Sequence, residues 1–157
     1  MHNASAYVYN PDALAFSALI LFGTLTFHAF YLIVVNRGFL HAVRRAREVR
    51  HLRFALEMSF LVGAFVLSAA HIVEIFLIGY TINLFDLVPN IHQAIVFAGS
   101  TYTTVGFGSD PLPQNWQLIM VTIALVGLLT VAWTTSVLFG MATLVHSVLA
   151  NPGKPVN

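Results

Sequence analysis

Residues 101–110, TYTTVGFGSD, combine residue types and a spacing that could do chemistry. Several hydroxyl side chains precede glycines at Gly106 and Gly108 there, and the segment lies between long stretches of Leu, Val, Ile, Phe and Ala. Glycine accepts backbone angles that other residues avoid, so successive carbonyl oxygens can be aimed in one direction. Carbonyl oxygens in that arrangement can replace the water shell of a cation. The segment therefore indicates backbone that binds cations.

The composition places this segment in a membrane. Of the 157 residues, 58% are hydrophobic and only 8% are charged, whereas about a quarter of a soluble domain is charged. The absence of cysteine excludes disulfides and thiolate metal sites. We see no hydrolytic or phosphate-binding motif, and we therefore expect no enzyme, no cofactor and no nucleic-acid partner.

Three apolar runs are long enough to span a bilayer, which takes about 20 helical residues. They cover residues 13–35, 54–82 and 116–145. A fourth stretch, residues 89–102, is about half a span long and is interpreted as a re-entrant helix. The start of the chain lacks a basic region and a cleavage signature, so we expect the first run to be retained. The predicted fold class is an all-α membrane protein with three spans and a re-entrant helix.

The basic residues predict the orientation. All seven Lys and Arg residues lie between the first two spans or after the third: Arg37, Arg44, Arg45, Arg47, Arg50, Arg53 and Lys154. The positive-inside tendency puts that side in the cytoplasm and the amino terminus outside. Residues 89–115 then enter the membrane from the external face. Backbone that is not helical is tolerated at that depth only where protein buries it or where it lines water.

The string TTVGFG resembles the potassium-channel filter TTVGYG, with Phe107 where Tyr is commoner. Residues 89–145 also follow the order of that family's pore module: short helix, filter, Trp116 and a glycine, Gly127, in the last span. The resemblance implies a passive, potassium-selective or potassium-preferring channel of four identical chains, with potassium as its permeant ligand. It implies potassium sites at Thr104, Val105, Gly106 and Phe107, a filter ending at Gly108, and Gly127 as a candidate gating hinge.

The extra first span resembles that of small bacterial ion-channel proteins with three spans, which implies a bacterial plasma membrane. On this reading residues 1–53 hold the first span and a basic cytoplasmic loop, residues 54–146 form the pore domain, and residues 147–157 form a short tail. Many family members carry acidic residues where this chain has Ser100 and Ser109. A weakly selective cation channel of the same fold is therefore an open alternative. Asp110, with Asp86 further out, is expected to form an acidic outer mouth that concentrates cations.

Polar residues also occur inside the second span. Glu57, Ser68, His71 and Glu74 fall within an arc of about 120° on a helix, which predicts a stripe that faces protein. His71 and Glu74 are three residues apart and so adjacent. They could form a pH-linked pair that braces the pore helix or filter, because a nearby carboxylate shifts the titration of histidine. A static hydrogen-bonded pair between helices is the alternative.

Arg44, Arg47, Arg50 and Arg53 recur at every third position, as in voltage-sensor helices. Sensor arginines are separated by apolar residues, whereas these are interleaved with Arg45, Glu48 and His51. We therefore favour a basic segment that attracts anionic lipids of the inner leaflet.

Two other classes of membrane protein stay open. His28 and His71 lie within spans, and paired intramembrane histidines can hold haem. A haem-binding subunit would leave the Thr/Gly segment unexplained. An accessory subunit that modulates another channel would leave the filter unused.

Overall fold

The computed structural model describes residues 10–106 and 110–151. These ranges form four helices, α1 Pro11–Ala46, α2 Leu52–Leu84, α3 Ile91–Tyr102 and α4 Leu118–Ala150, and contain no strand. Helices α1, α2 and α4 are long and apolar enough to cross a membrane. Helix α3 has 12 residues, or about 18 Å, which is too short for a hydrocarbon core of about 30 Å. The predicted fold class is confirmed, and the chain is an integral membrane protein.

The first helix begins at Pro11, just before the predicted run of residues 13–35, and ends well after it. The Asn10 side chain accepts hydrogen bonds from the amides of Asp12 and Ala13, at 3.0 and 3.3 Å. It therefore caps a helix that has proline in its first position. The helix then continues past the predicted end at residue 35, through Arg44 and Arg45 in its last turn. Basic side chains there complement the negative end of the helix dipole. The predicted basic loop is thus mostly helix, and only residues 47–51 connect α1 to α2.

Contacts group the described residues into two compact units. The pore-helix unit is drawn from Met1–Leu25 and Val73–Leu129, and the histidine unit from Thr26–Ile72 and Thr130–Asn157. The pore-helix unit contains all of α3 together with parts of α1, α2 and α4. Each unit has its own apolar core.

The core of the pore-helix unit surrounds α3. Ala94, Phe97 and Ala98 of this helix are buried against α2 and α4 residues that include Ile78 and Ile123. From α1, Phe16 makes edge contacts with two aromatic rings, Phe85 at 4.9 Å and Trp116 at 6.1 Å between centroids. The first span therefore packs on the helices that hold α3.

The connection from α2 to α3 is fixed by two asparagines. The Asn83 side-chain amide donates to the carbonyls of Val88 and Pro89, both at 2.9 Å. Asn90 caps α3 by accepting from the amide of Gln93 at 3.0 Å. Between them Asp86, which is exposed, has a φ of 55°, a conformation that Asp tolerates better than most residues. These contacts set where the short helix begins.

Candidate functional site

The Thr/Gly segment leaves α3 at its last residue, Tyr102. Thr103 ends the helix, and its amide bonds to the carbonyls of Gly99 and Thr101. Thr104 and Gly106 then have φ values of 59° and 67°. This left-handed region is uncommon for threonine and ordinary for glycine. The backbone therefore stops being helical at the first residue of the TVG string.

Ser100 anchors this segment through its main chain. Its carbonyl oxygen accepts from the amides of Val105 and Gly106, at 3.0 and 3.1 Å. The amide of Thr104 donates to the carbonyl of Thr101 at 2.9 Å. The last carbonyls of α3, which lack helical partners, thus hold the amides of the segment that follows. Residues 103–106 are exposed in the single chain, and Val105 is 62% exposed.

Glu74 of α2 contacts the end of the short helix. Its carboxylate is 1% exposed, and its Oε2 accepts a hydrogen bond of 2.5 Å from the hydroxyl of Tyr102, which is 3% exposed. A carboxylate inside a membrane protein is costly unless it is paired or hydrogen-bonded. The contact explains how an acidic residue is accommodated in the second span.

Two glycines allow backbones to approach α3 closely. A β-carbon at Gly79 of α2 would lie 2.7 Å from the Cα of Ile95, and one at Gly127 of α4 would collide with the carbonyl group of Tyr102. Real side chains do not reach such distances, so both positions require glycine. Gly127 was proposed as a gating hinge. Close packing is sufficient to explain this glycine, and the hinge stays a prediction.

The structure describes part of the predicted outer mouth. Asp110 is exposed, and its Oδ1 accepts from the amide of Leu112 at 2.9 Å. This contact orders the start of the connection to α4 and leaves the carboxylate open to solvent in the single chain. Phe107, Gly108 and Ser109, which would form the outer part of the proposed filter and its end, lie outside the described residues.

The polar stripe of α2 is divided. Glu74 is buried and His71 is half-buried, but Glu57 and Ser68 are exposed on this chain. Glu57 pairs with Arg53 at 2.8 Å, one helical turn away, and the Ser68 hydroxyl bonds to the carbonyl of Ala64 in its own helix. In the single chain the stripe is covered at Glu74 and partly at His71, and that protein covers the rest stays a prediction. Local partners satisfy the two exposed groups, so they need no neighbouring helix.

In the histidine unit, two rings share one hydroxyl. Thr134 Oγ1 lies 3.0 Å from Nε2 of His71 and 3.2 Å from Nε2 of His28, and the ring centroids are 5.3 Å apart. A hydroxyl can donate one hydrogen bond and accept others, so it serves both rings when their tautomers differ. A haem held by both Nε2 atoms would have to displace Thr134. The geometry therefore favours hydrogen bonding between helices. That the pair His71 and Glu74 responds to pH stays a prediction.

The regular arginine spacing does not form a sensor stripe. Arg44 lies in α1, Arg47 and Arg50 lie in the connection, and Arg53 lies in α2. A stripe requires one continuous helix, and the break between Ala46 and Leu52 interrupts it. Arg44, Arg50 and Arg53 are exposed, in keeping with a basic surface segment.

Sequence reasoning did not identify Tyr102 or Thr134 as partners of the intramembrane polar residues. Tyr102 directly precedes the TTVGFG string, and Thr134 lies in the string AWTTS of the third span. Both are hydroxyl residues in apolar surroundings, where such groups usually find a partner. The sequence therefore predicts that both hydroxyls are hydrogen-bonded, but it does not identify their partners.

Part of the chain matches a known protein family. Residues 61–143, more than half of the chain, match the family model described as "Ion channel". The match begins within α2, contains α3 and the Thr/Gly segment, and ends within α4. No curated protein and no solved structure shows a significant match to the chain.

Proposed function

Because the chain belongs to the ion-channel family, we propose that it is a passive channel that prefers potassium over sodium. One observation carries the proposal. The string TTVG follows a helix too short to cross the membrane, and it leaves helical geometry with positive φ at Thr104 and Gly106. Positive φ at two positions flanking Val105 is the kind of backbone that can direct successive carbonyls toward one axis.

In this proposal the carbonyls of Thr104, Val105, Gly106 and Phe107, with the Thr104 hydroxyl, coordinate dehydrated potassium. The amides of Val105 and Gly106 are bonded to Ser100. Protein rather than water therefore satisfies these donors, and the carbonyls remain as the ligands a cation needs. Gly108 would complete the filter on the outer side.

We propose a homotetramer because a single chain supplies only one wall of a pore. Residues 103–106 are exposed in the single chain, and non-helical backbone in a membrane must line water or be covered by protein. Four copies around an axis would meet both requirements. The amino terminus would lie outside, and Arg44, Arg47, Arg50 and Arg53 would face anionic lipids of the inner leaflet.

The test is a bi-ionic reversal potential in reconstituted bilayers, with potassium on one side and sodium on the other. The lone purified chain should carry current, and the potential should show a preference for potassium. Current with little preference would support the weakly selective alternative. No current from correctly folded protein would favour an accessory role and would contradict the proposal.

Gly106→Ala makes the test specific to the filter. Alanine at a φ of 67° is strained by about 1–2 kcal/mol, so the variant should lose conduction or selectivity while its helix content is kept. Gly23→Ala is the matched control, because a β-carbon there meets no atom within 4 Å. Selectivity in Gly106→Ala equal to that of the wild type would rule out the assigned filter.

A further inference from the structure

We propose that Glu74 is a positioning residue for the ion path, acting through the Tyr102 hydroxyl to fix the inner end of the filter. The inference rests on the proposed channel function. It gives Glu74, in the second span, a role in selectivity, whereas the proposed ion ligands all come after α3 in the chain. Glu74 itself contacts no ion in this proposal.

The first step is the strength of the contact. Both side chains are buried, at 1% and 3% exposure, and the hydroxyl and carboxylate oxygens are 2.5 Å apart. Hydrogen bonds to carboxylates are shorter and stronger than those between neutral groups. Loss of either group therefore removes a strong contact from a site that is almost closed to solvent.

The second step is the position of Tyr102 in the chain. It is the last residue of α3, and Thr104 follows two residues later with a φ of 59°. Ser100, two residues before it, holds the amides of Val105 and Gly106. Any movement of the final turn of α3 therefore moves the first carbonyls of the filter with it.

The third step is that Tyr102 is fixed at two points. Its hydroxyl is bound by Glu74 of α2, and its carbonyl group packs directly on Gly127 of α4. The backbone contact limits how closely α3 can approach α4, and the hydroxyl contact limits how the tyrosine can rotate or withdraw. Without the hydroxyl bond, the direct tie between Tyr102 and Glu74 is lost, while the contact with Gly127 remains.

The alternative is that the bond merely holds two helices together. A purely structural bond would lower stability when it is broken and leave ion preference unchanged. A positioning bond would change ion preference even in protein that is folded and assembled. The sodium-to-potassium permeability ratio and the hydrogen exchange of filter amides separate these roles.

Tyr102→Phe removes one oxygen and keeps the ring. The permeability ratio of sodium to potassium should rise about tenfold, which is a change of about 1.4 kcal/mol in the discrimination between the two ions. The amides of Val105 and Gly106 should exchange faster with solvent. Glu74→Leu should give the same two changes, because it removes the acceptor.

Glu74→Gln is the conservative variant, because its amide oxygen can still accept from Tyr102. It should raise the permeability ratio less than Glu74→Leu does, because the bond is weakened but not lost. The double variant Tyr102→Phe/Glu74→Leu should shift the permeability ratio no further than either single change, because both changes break the same contact. Thr81→Val is the control, since its hydroxyl bonds to Leu77 in its own helix.

An unchanged permeability ratio in folded, conducting Tyr102→Phe would overturn the proposal, even if the amides exchanged faster, because a purely structural bond predicts that result. The proposal would also fail if Glu74→Gln changed the permeability ratio as much as Glu74→Leu while Tyr102→Phe behaved like the wild type. Glu74 would then act through another partner. The exchange measurement does not depend on current. If the wild type carries no current, the channel function fails, while faster exchange in Tyr102→Phe would still support the positioning of the segment.

Discussion

Helical glycines serve different purposes in the pore-helix unit and the histidine unit. In the pore-helix unit, added β-carbons at Gly79 and Gly127 would meet backbone atoms of α3. In the histidine unit, a β-carbon at Gly63 would lie at an ordinary 3.5 Å from a methionine sulfur, and one at Gly140 would meet nothing within 4 Å. Close approach of backbones is therefore confined, among these four glycines, to the unit that holds the short helix.

The buried polar contacts differ in the same way. In the pore-helix unit, the bond between Glu74 and Tyr102 ties a spanning helix to α3. In the histidine unit, His28, His71 and Thr134 tie three spanning helices to one another. The first contact reaches the segment proposed to bind ions, and the second maintains a bundle. Breaking each should therefore have different consequences.

The largest effect is expected for Gly127→Ala. The added methyl group would overlap the carbonyl group of Tyr102, and backbone cannot shift cheaply, so we expect a loss of stability of about 3 kcal/mol or more. Thermal unfolding in detergent and recovery of the assembled protein would measure it. A variant as stable as the wild type would contradict the packing described for α3.

Gly140→Ala is the matched change in the same helix. The added methyl group would meet no atom within 4 Å, and alanine is more favourable than glycine within a helix by about 1 kcal/mol. Its stability should equal or slightly exceed that of the wild type. A loss of stability similar to that of Gly127→Ala would mean that Gly140 is covered in the assembled protein. The two units would then not differ in how closely their helical glycines are packed.

A smaller effect is expected for Thr134→Val in the histidine unit. The change removes the hydroxyl shared by His28 and His71, at a cost of about 1 kcal/mol within a membrane. Stability should fall while ion preference is kept, unlike in Tyr102→Phe. Thr135→Val is the control, because the Thr135 hydroxyl bonds to the carbonyl of Val131 in its own helix. A change in selectivity without a change in stability would reverse the assigned roles.

The smallest effect is expected for Asp110→Asn, which contrasts an exposed carboxylate of the pore-helix unit with the buried one. Asparagine can still accept from the amide of Leu112, so the change isolates charge. Conductance should roughly halve at low salt and approach the wild-type value at high salt, because ions screen the attraction of cations. An equal loss at all salt concentrations would give Asp110 a structural role.

The sequence alone established the membrane setting, the three spans, the half-length helix and the TTVGFG string proposed as the filter. Each depends on residues that are neighbours along the chain. Hydropathy over about 20 residues defines a span, and TTVGFG is contiguous. Helix ends were less well predicted, since α1 continues through arginines that hydropathy excludes from a span.

Only the tertiary structure decided what the polar residues of the spans contact. Glu74 is three residues from His71 in the sequence, yet its hydroxyl partner, Tyr102, is 28 residues away. Thr134 bonds to a ring 106 residues away, and Gly127 is required by a carbonyl on another helix. Helical periodicity shows which residues share a face, but which helix covers that face depends on the packing of backbones and side chains from distant parts of the chain.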